Sequence, residues 1–454
     1  MPNIISCCSA KETMHRNTPS VRRHSWLREC RKMTPQQYLL LSVLVLAVLL
    51  FFTKWISLTA TVILINVLLF FSRVISMGDI FLGLTDSSVI LAGAMFILGG
   101  AVLKTGAARS AGERITRHIV KERNVMLVFM LLACAASAFM SAIATISILV
   151  PIAIGVCQAN KEYRLPRLLL PIAIACSAGG MITLIGKPAN LMARTLLEEN
   201  GLGTIGFFEY AKAGIPVSLA IILFMYFWGY RLLPDRPVEI YRPVRDAAEP
   251  PESSMAKQRL SVLIFGLVIL GFLLESVTDI PLQITALCGI LALLALKVIT
   301  DKEAFTLVEW PTLILVAGMF PMAKAMISTG TADLIAQFFI NLMGQNHSPV
   351  LFLGLLFALI SILTEVMSNT ACCALFVPIA IAIGQSLSIN PACLVMAVTI
   401  ASGCSFASPI GTPINAYVMS YGGYEFKDYL RVGIWLNVLS WGVCMVIIPV
   451  FWPF

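Results

Sequence analysis

Charge is what this chain is short of. Only 12% of its 454 residues are Asp, Glu, Lys or Arg, against roughly 25% in soluble domains. That deficit, beside a hydrophobic fraction of 58%, excludes a soluble enzyme and a nucleic-acid-binding domain. Histidine is equally scarce. The four present (His15, His24, His118, His347) lie in the tail or in polar loops, which leaves no histidine-based metal site. The twelve cysteines include no C-x-x-C. Most sit in apolar runs (Cys134, Cys176, Cys288, Cys393, Cys444), where a thiol behaves as a small hydrophobe. Intramembrane histidines and paired carboxylates are missing too, so a membrane-embedded enzyme has no nucleophile–base pair. No organic cofactor is expected.

What the chain has in quantity is long apolar runs. A crossing needs about 20 apolar residues, so there is room for about 11 transmembrane helices plus hairpins. The fold class is therefore an all-α polytopic membrane protein embedded in a lipid bilayer. The net charge of +8 includes seven Lys/Arg in the first 37 residues, and most of the rest fall in short loops. That distribution orients a protein in a membrane. Residues 1–37 form a basic tail with no apolar run before position 38, so they are not a secretory signal; Met33 is an alternative start. Spans are expected at Tyr38–Phe52, Trp55–Phe71 and Val89–Leu103. Residues 231–258, with five prolines, are a linker between a first half, 38–230, and a second, 259–454.

The halves repeat each other. AMFILGGAVLKTG (94–106) matches GMFPMAKAMISTG (318–330), and MSAIATISILVPIAI (140–154) matches MSNTACCALFVPIAI (367–381). LIGKPAN (184–190) matches PIGTPIN (409–415), and FEYAKAGI (208–215) matches KDYLRVGI (427–434); the offset stays between 219 and 227. The loop 104–124 carries six Lys/Arg, and its counterpart, read as the loop 328–348, carries none. By the positive-inside rule the first is cytoplasmic and the second external. The repeats are then inverted, which places a binding site near the midplane, at the repeat interface. A cytoplasmic N-terminus and an external C-terminus in a bacterial inner membrane follow.

Two polar breaks in each half mark that site. TEVMSNTACCALFVP (364–378) reads as a re-entrant hairpin with its tip at 368–370, and its first-half counterpart turns at Ser141. SPIGTPIN (408–415) and GKPAN (186–190) read as unwound helices, stopped by proline and glycine. Irregular backbone survives at membrane depth only where protein or a cavity covers it. Thr364 and Ser368 are four residues apart, as are Ser137 and Ser141. Paired hydroxyls beside freed carbonyls at Gly186 or Gly411 suit a small hard cation. Asn369, Thr370, Thr412 and Asn415, with Asn190 as the first-half partner of Asn415, are donors for a small anion. The plain reading of any one of them is helix–helix packing, where Ser, Thr and Asn are common. Glu365 is either a proton carrier or, as favoured here, a structural acceptor for N–H groups. Lys324 and Glu275 are expected at interfaces.

The tip SNTACCALFVP, the break IGTPIN and the segment GGYEFKDYLRVG resemble the divalent anion:sodium symporter family of the ion transporter superfamily, over roughly residues 80–450. The resemblance implies dicarboxylate, citrate or sulfate carried by an elevator motion, with sodium, in a homodimer. It implies one sodium at Thr364, Asn369 and Gly411, another at Ser137, Ser141 and Gly186, and the anion among Ser368, Asn369, Thr370 and Pro413. The first half departs from the pattern. Ser141-Ala142-Ile143 stands where the family has SNT, and Lys187 follows Ile185-Gly186 where it has a hydroxyl residue. Lys187 is read as a built-in cation facing the anion. Two other readings stay open: a sodium-independent anion exchanger that uses Lys187 as counter-charge, and a non-transporting sensor or assembly subunit.

Overall fold

The computed structural model of the chain describes residues 33–106, 121–160, 162–236, 254–342 and 348–454. The basic tail to residue 32, most of the 104–124 loop, the body of the linker and all four histidines lie outside the described residues. Among the described residues the chain is helical, with no strand. Seven helices are long and apolar enough to cross a membrane, and six more apolar helices are 10–17 residues long.

In the first half the helices of six or more residues are α1 (Pro35–Thr53), α2 (Leu58–Phe71), α3 (Met77–Leu82), α4 (Ser87–Lys104), α5 (Glu122–Ser137), α6 (Ala142–Ala159), α7 (Leu165–Gly179), α8 (Pro188–Glu199) and α9 (Ala211–Phe227). In the second they are α10 (Met255–Leu273), α11 (Leu282–Ala295), α12 (Asp301–Leu307), α13 (Trp310–Ser328), α14 (Thr331–Leu342), α15 (Pro349–Leu363), α16 (Asn369–Leu387), α17 (Pro391–Ser402), α18 (Pro413–Gly422) and α19 (Phe426–Phe451). Local chemistry sets their ends. Thr34 caps α1 in a capping box with Gln37, and Ser57 caps α2 by accepting from Ala60 N. This is why the second helix starts at Leu58 rather than at Trp55.

The segment 328–348, expected as a loop, contains the helix α14. Its Ala332, Ile335, Ala336, Phe339 and Ile340 all face the core, the spacing of one helical face. That face packs on α16. The lack of basic charge that made the segment look like an external loop is equally what lets it lie against the bundle.

The two halves interlock around their broken helices. The first-half α7 packs on α18, and α8 packs on α16 and α17. At α7 the contact is chemical. Pro171 lies inside this helix, and proline crowds the preceding turn. The Tyr424 hydroxyl enters that turn, accepting from Leu170 N at 2.8 Å and donating to the Pro166 carbonyl at 2.5 Å. Tyr424 is 4% exposed, so water does not replace it. Tyr424→Phe removes both bonds and leaves a buried N–H and C=O unpaired. The expected result is a loss of about 1–3 kcal/mol of stability, seen as a lower melting temperature in detergent.

Candidate functional site

Four helices of the repeated motifs begin at one cavity, and α13 begins there too, through Glu309, Pro311 and Thr312. α6, α8, α16 and α18 each present their first turn to it, through Ser141–Ile143, Lys187–Ala189, Ser368–Thr370 and Thr412–Ile414. The volume is about 190 Å³, and the remaining wall includes Gly186, Gly411, Glu309 and Thr312. A helix N-terminus carries unpaired N–H groups and the positive end of the dipole. Ser368 serves its own helix by accepting from Ala371 N at 3.4 Å. Ser141 makes no such cap. Its hydroxyl donates instead to Glu309.

Of the residues singled out in the sequence, Ser141, Gly186, Lys187, Ser368, Asn369, Thr370, Gly411, Thr412 and Pro413 line this cavity. Asn190, Asn415, Ser137 and Thr364 do not; they build the frame behind it. Asn190 Nδ2 donates to the carbonyls of Gly180 (3.2 Å) and Thr183 (2.8 Å). Asn415 Nδ2 donates to those of Ser405 (3.0 Å) and Ser408 (2.9 Å). In both halves the acceptors lie ten and seven residues back. The Asn carbonyls in turn accept from tyrosines: Tyr210 to Asn190 O at 3.1 Å and Tyr429 to Asn415 O at 2.7 Å. These two amides satisfy carbonyls that the unwound helix cannot.

The hairpin tips are tied to the breaks in the same paired way. Ser137 Oγ donates to Cys176 O at 2.7 Å. The Thr364 hydroxyl lies 2.7 Å from Ser402 O and 2.9 Å from Asn369 Oδ1. Ser137 and Ser141 thus turn to different partners, whereas Thr364 and Asn369 stay together. Gly411 completes the second-half cluster. A Cβ there would lie 2.4 Å from Ser405 Oγ, 2.5 Å from Thr364 O and 3.1 Å from Glu365 O. Ser405 Oγ has no protein partner. Carbonyl and hydroxyl oxygens therefore crowd one small space that only glycine leaves open.

The first half fills the matching space with Lys187. Gly180 stands where the second half has Ser405, and a Cβ on it would meet Lys187 Cε at 2.8 Å. The lysine then reaches across to the other break. A Cβ on Gly403 would lie 2.0 Å from Lys187 Nζ. The residue is 8% exposed, and its Nζ has no protein partner. Glu365 is a structural acceptor: its Oε1 takes Ala407 N at 3.0 Å and Asn437 Nδ2 at 2.6 Å. Lys324 pairs with Asp79 at 2.9 Å and Glu275 with Arg194 at 3.5 Å, both away from the cavity.

The sequence reading missed Glu309, Ser402, Ser405, Tyr210, Tyr429 and Lys54. Lys54 Nζ donates to Ile410 O in the second break at 2.8 Å. Glu309 offered one signal, an acid set directly before Trp-Pro at the start of an apolar run.

Comparison with known proteins places this architecture. The sequence profile of the citrate transporter family matches residues 48–375 and 366–454. The Escherichia coli protein named uncharacterized transporter YfbS is 22% identical, over 91% of this chain and 99% of its own. The sodium-dependent dicarboxylate transporter SdcS of Staphylococcus saprophyticus is 24% identical, over 89% and 85%. Among solved structures, the YdaH transporter of Alcanivorax borkumensis matches with a TM-score of 0.61 at 14% identity, covering 84% of this chain and 87% of that one, a likeness of fold. The chain belongs to the citrate transporter family, within the ion transporter superfamily that also holds the divalent anion:sodium symporters.

Proposed function

We propose that the chain is a secondary active transporter of small divalent anions, of the dicarboxylate, citrate or sulfate class, and that sodium is its coupling ion, held in the second half only. The observation that carries this reading is the meeting of four helix N-termini at one cavity. Their N–H groups and dipoles favour an anion, and Ser368, Asn369, Thr370 and Thr412 add donors. The oxygens around Gly411 support sodium there, because freed carbonyls at unwound helices are what holds sodium in such transporters. In the first half the corresponding donors are gone: Ala142 replaces the tip Asn, Gly180 replaces Ser405, and the Lys187 stem takes the space. The name of the sodium-dependent dicarboxylate relative supports both the ion and the substrate class.

The paired hydrogen bonds and the one-sided charge of the loop 104–124 support two inverted repeats, 38–230 and 259–454, with a cytoplasmic N-terminus in an inner membrane. The family resemblance supports an elevator motion in a homodimer. A second reading has one observation in its favour: Lys187 Nζ is a buried cation without a protein partner. Two unit charges about 4 Å apart are worth roughly 4 kcal/mol at an effective dielectric of about 20. A fixed lysine then serves in place of a coupling ion, and the protein exchanges anions without sodium.

Uptake of labelled succinate, citrate and sulfate into proteoliposomes, with and without an inward sodium gradient, separates the two. Sodium-driven uptake is expected. Gly411→Ala, which sets a methyl against Ser405 and Thr364, should abolish the sodium dependence. Uptake that ignores sodium and speeds up with anion inside would replace this reading with exchange. Lys187→Thr should weaken anion binding by about one to three powers of ten. Unchanged uptake and ion dependence in that variant would remove Lys187 from the site.

A further inference from the structure

Behind the second hairpin, α15 and α19 face each other with four buried oxygens that have no protein partner: Ser361 Oγ, Glu365 Oε2, Asn437 Oδ1 and Ser440 Oγ. None of these residues lines the cavity. Two bonds frame the contact. Trp441 Nε1 donates to Gly354 O at 3.0 Å, and Asn437 Nδ2 donates to Glu365 Oε1 at 2.6 Å. Ser361 stands seven residues after Gly354 and four before Glu365, on the same helical face. The turn carries on through Thr364, whose backbone is helical (φ −67°, ψ −15°). On α19, Ser440 falls between Asn437 and Trp441. Ser361 is 6% exposed and Ser440 1%, so bulk solvent does not serve them. The Cys404 thiol beside Ser440 donates to Ile400 O at 3.3 Å.

The backbone N–H groups of Phe406, Ala407 and Ser408 face the Glu365 carboxylate and fix it in place. No base balances it: among the described residues, no ion pair includes Glu365. Its free Oε2 and the free Asn437 Oδ1 need a positive partner, and burying such groups without one is costly. We infer that these four oxygens hold one sodium ion, at a site separate from the space at Gly411. Hard cations take oxygen ligands, and the set here is one carboxylate oxygen with three neutral ones. One carboxylate against one unit charge leaves the cluster neutral, whereas a divalent ion leaves net charge at membrane depth. A water molecule brings donors but no charge. Glu365 joins the two spaces. Its carbonyl oxygen borders the Gly411 space, 3.1 Å from a Cβ built there, and its side chain borders the new site. An ion in either one steadies the residue that frames the other, so the two bind cooperatively.

The test reads sodium binding as the rise in melting temperature in detergent when sodium chloride replaces choline chloride at equal ionic strength. Gly411→Ala blocks the first space and isolates the second, and sodium should still stabilise that variant. Adding Ser440→Ala should raise the sodium concentration for the half-maximal rise about tenfold. Ser361→Ala should do the same and serves if the Ser440 variant does not fold. If sodium stabilises the wild type but not Gly411→Ala, the new site falls and the Gly411 site stands. If sodium stabilises Gly411→Ala as much as the wild type and Ser440→Ala weakens the effect in both, the new site stands and the Gly411 site falls. An unchanged half-maximal concentration in both serine variants overturns the inference. So does stabilisation of Gly411→Ala by acid and not by sodium, for Glu365 then holds a proton.

Discussion

Backbone carbonyls left bare at membrane depth are the constraint on which this structure depends. An unwound helix frees them, and hydrocarbon offers nothing in return. The chain answers with one asparagine per break, its side-chain amide donating twice and its backbone carbonyl held by a tyrosine hydroxyl. With the carbonyls satisfied, the two short helices on either side of each break stay in place. The free N-terminal turn of the helix after each break, α8 or α18, then opens on the cavity instead of being consumed by structure.

The two halves share this frame but use it differently. In the second, a glycine and several oxygens leave a small polar space. In the first, the same position admits a lysine stem that passes Gly180 and ends against Gly403. A side chain on either glycine would block that path, so the lysine and the two glycines form one unit drawn from both halves.

The sequence made the frame legible because proline, glycine and hydroxyl residues stand out within apolar runs. The repeat showed which breaks correspond: the helices stop at Gly179 and Ser402 and resume at Pro188 and Pro413. The roles were harder to read. Asn190 and Asn415 are amides in a binding motif, and their bonds run backward across irregular chain, where no fixed period predicts a partner. Glu309 sits in the polar stretch before α13 and looks like an interfacial acid. Its partner at Ser141 is 168 residues away, and only folding reveals it. Ser405 was invisible for the same reason, since its neighbours come from a hairpin tip. The helix α14 was read as a loop because absence of charge was taken as position rather than as packing.

The length of α17 carries one more consequence. Twelve residues span about 18 Å, little more than half of a hydrocarbon layer about 30 Å thick. The break that follows it runs on to Gly411 and Thr412 at the cavity wall, and each net charge moved through the whole membrane voltage is worth about 2.3 kcal/mol per 100 mV. Lys187 and Glu309 are of opposite sign. When both are ionised, their charges cancel in the net charge of this part of the chain.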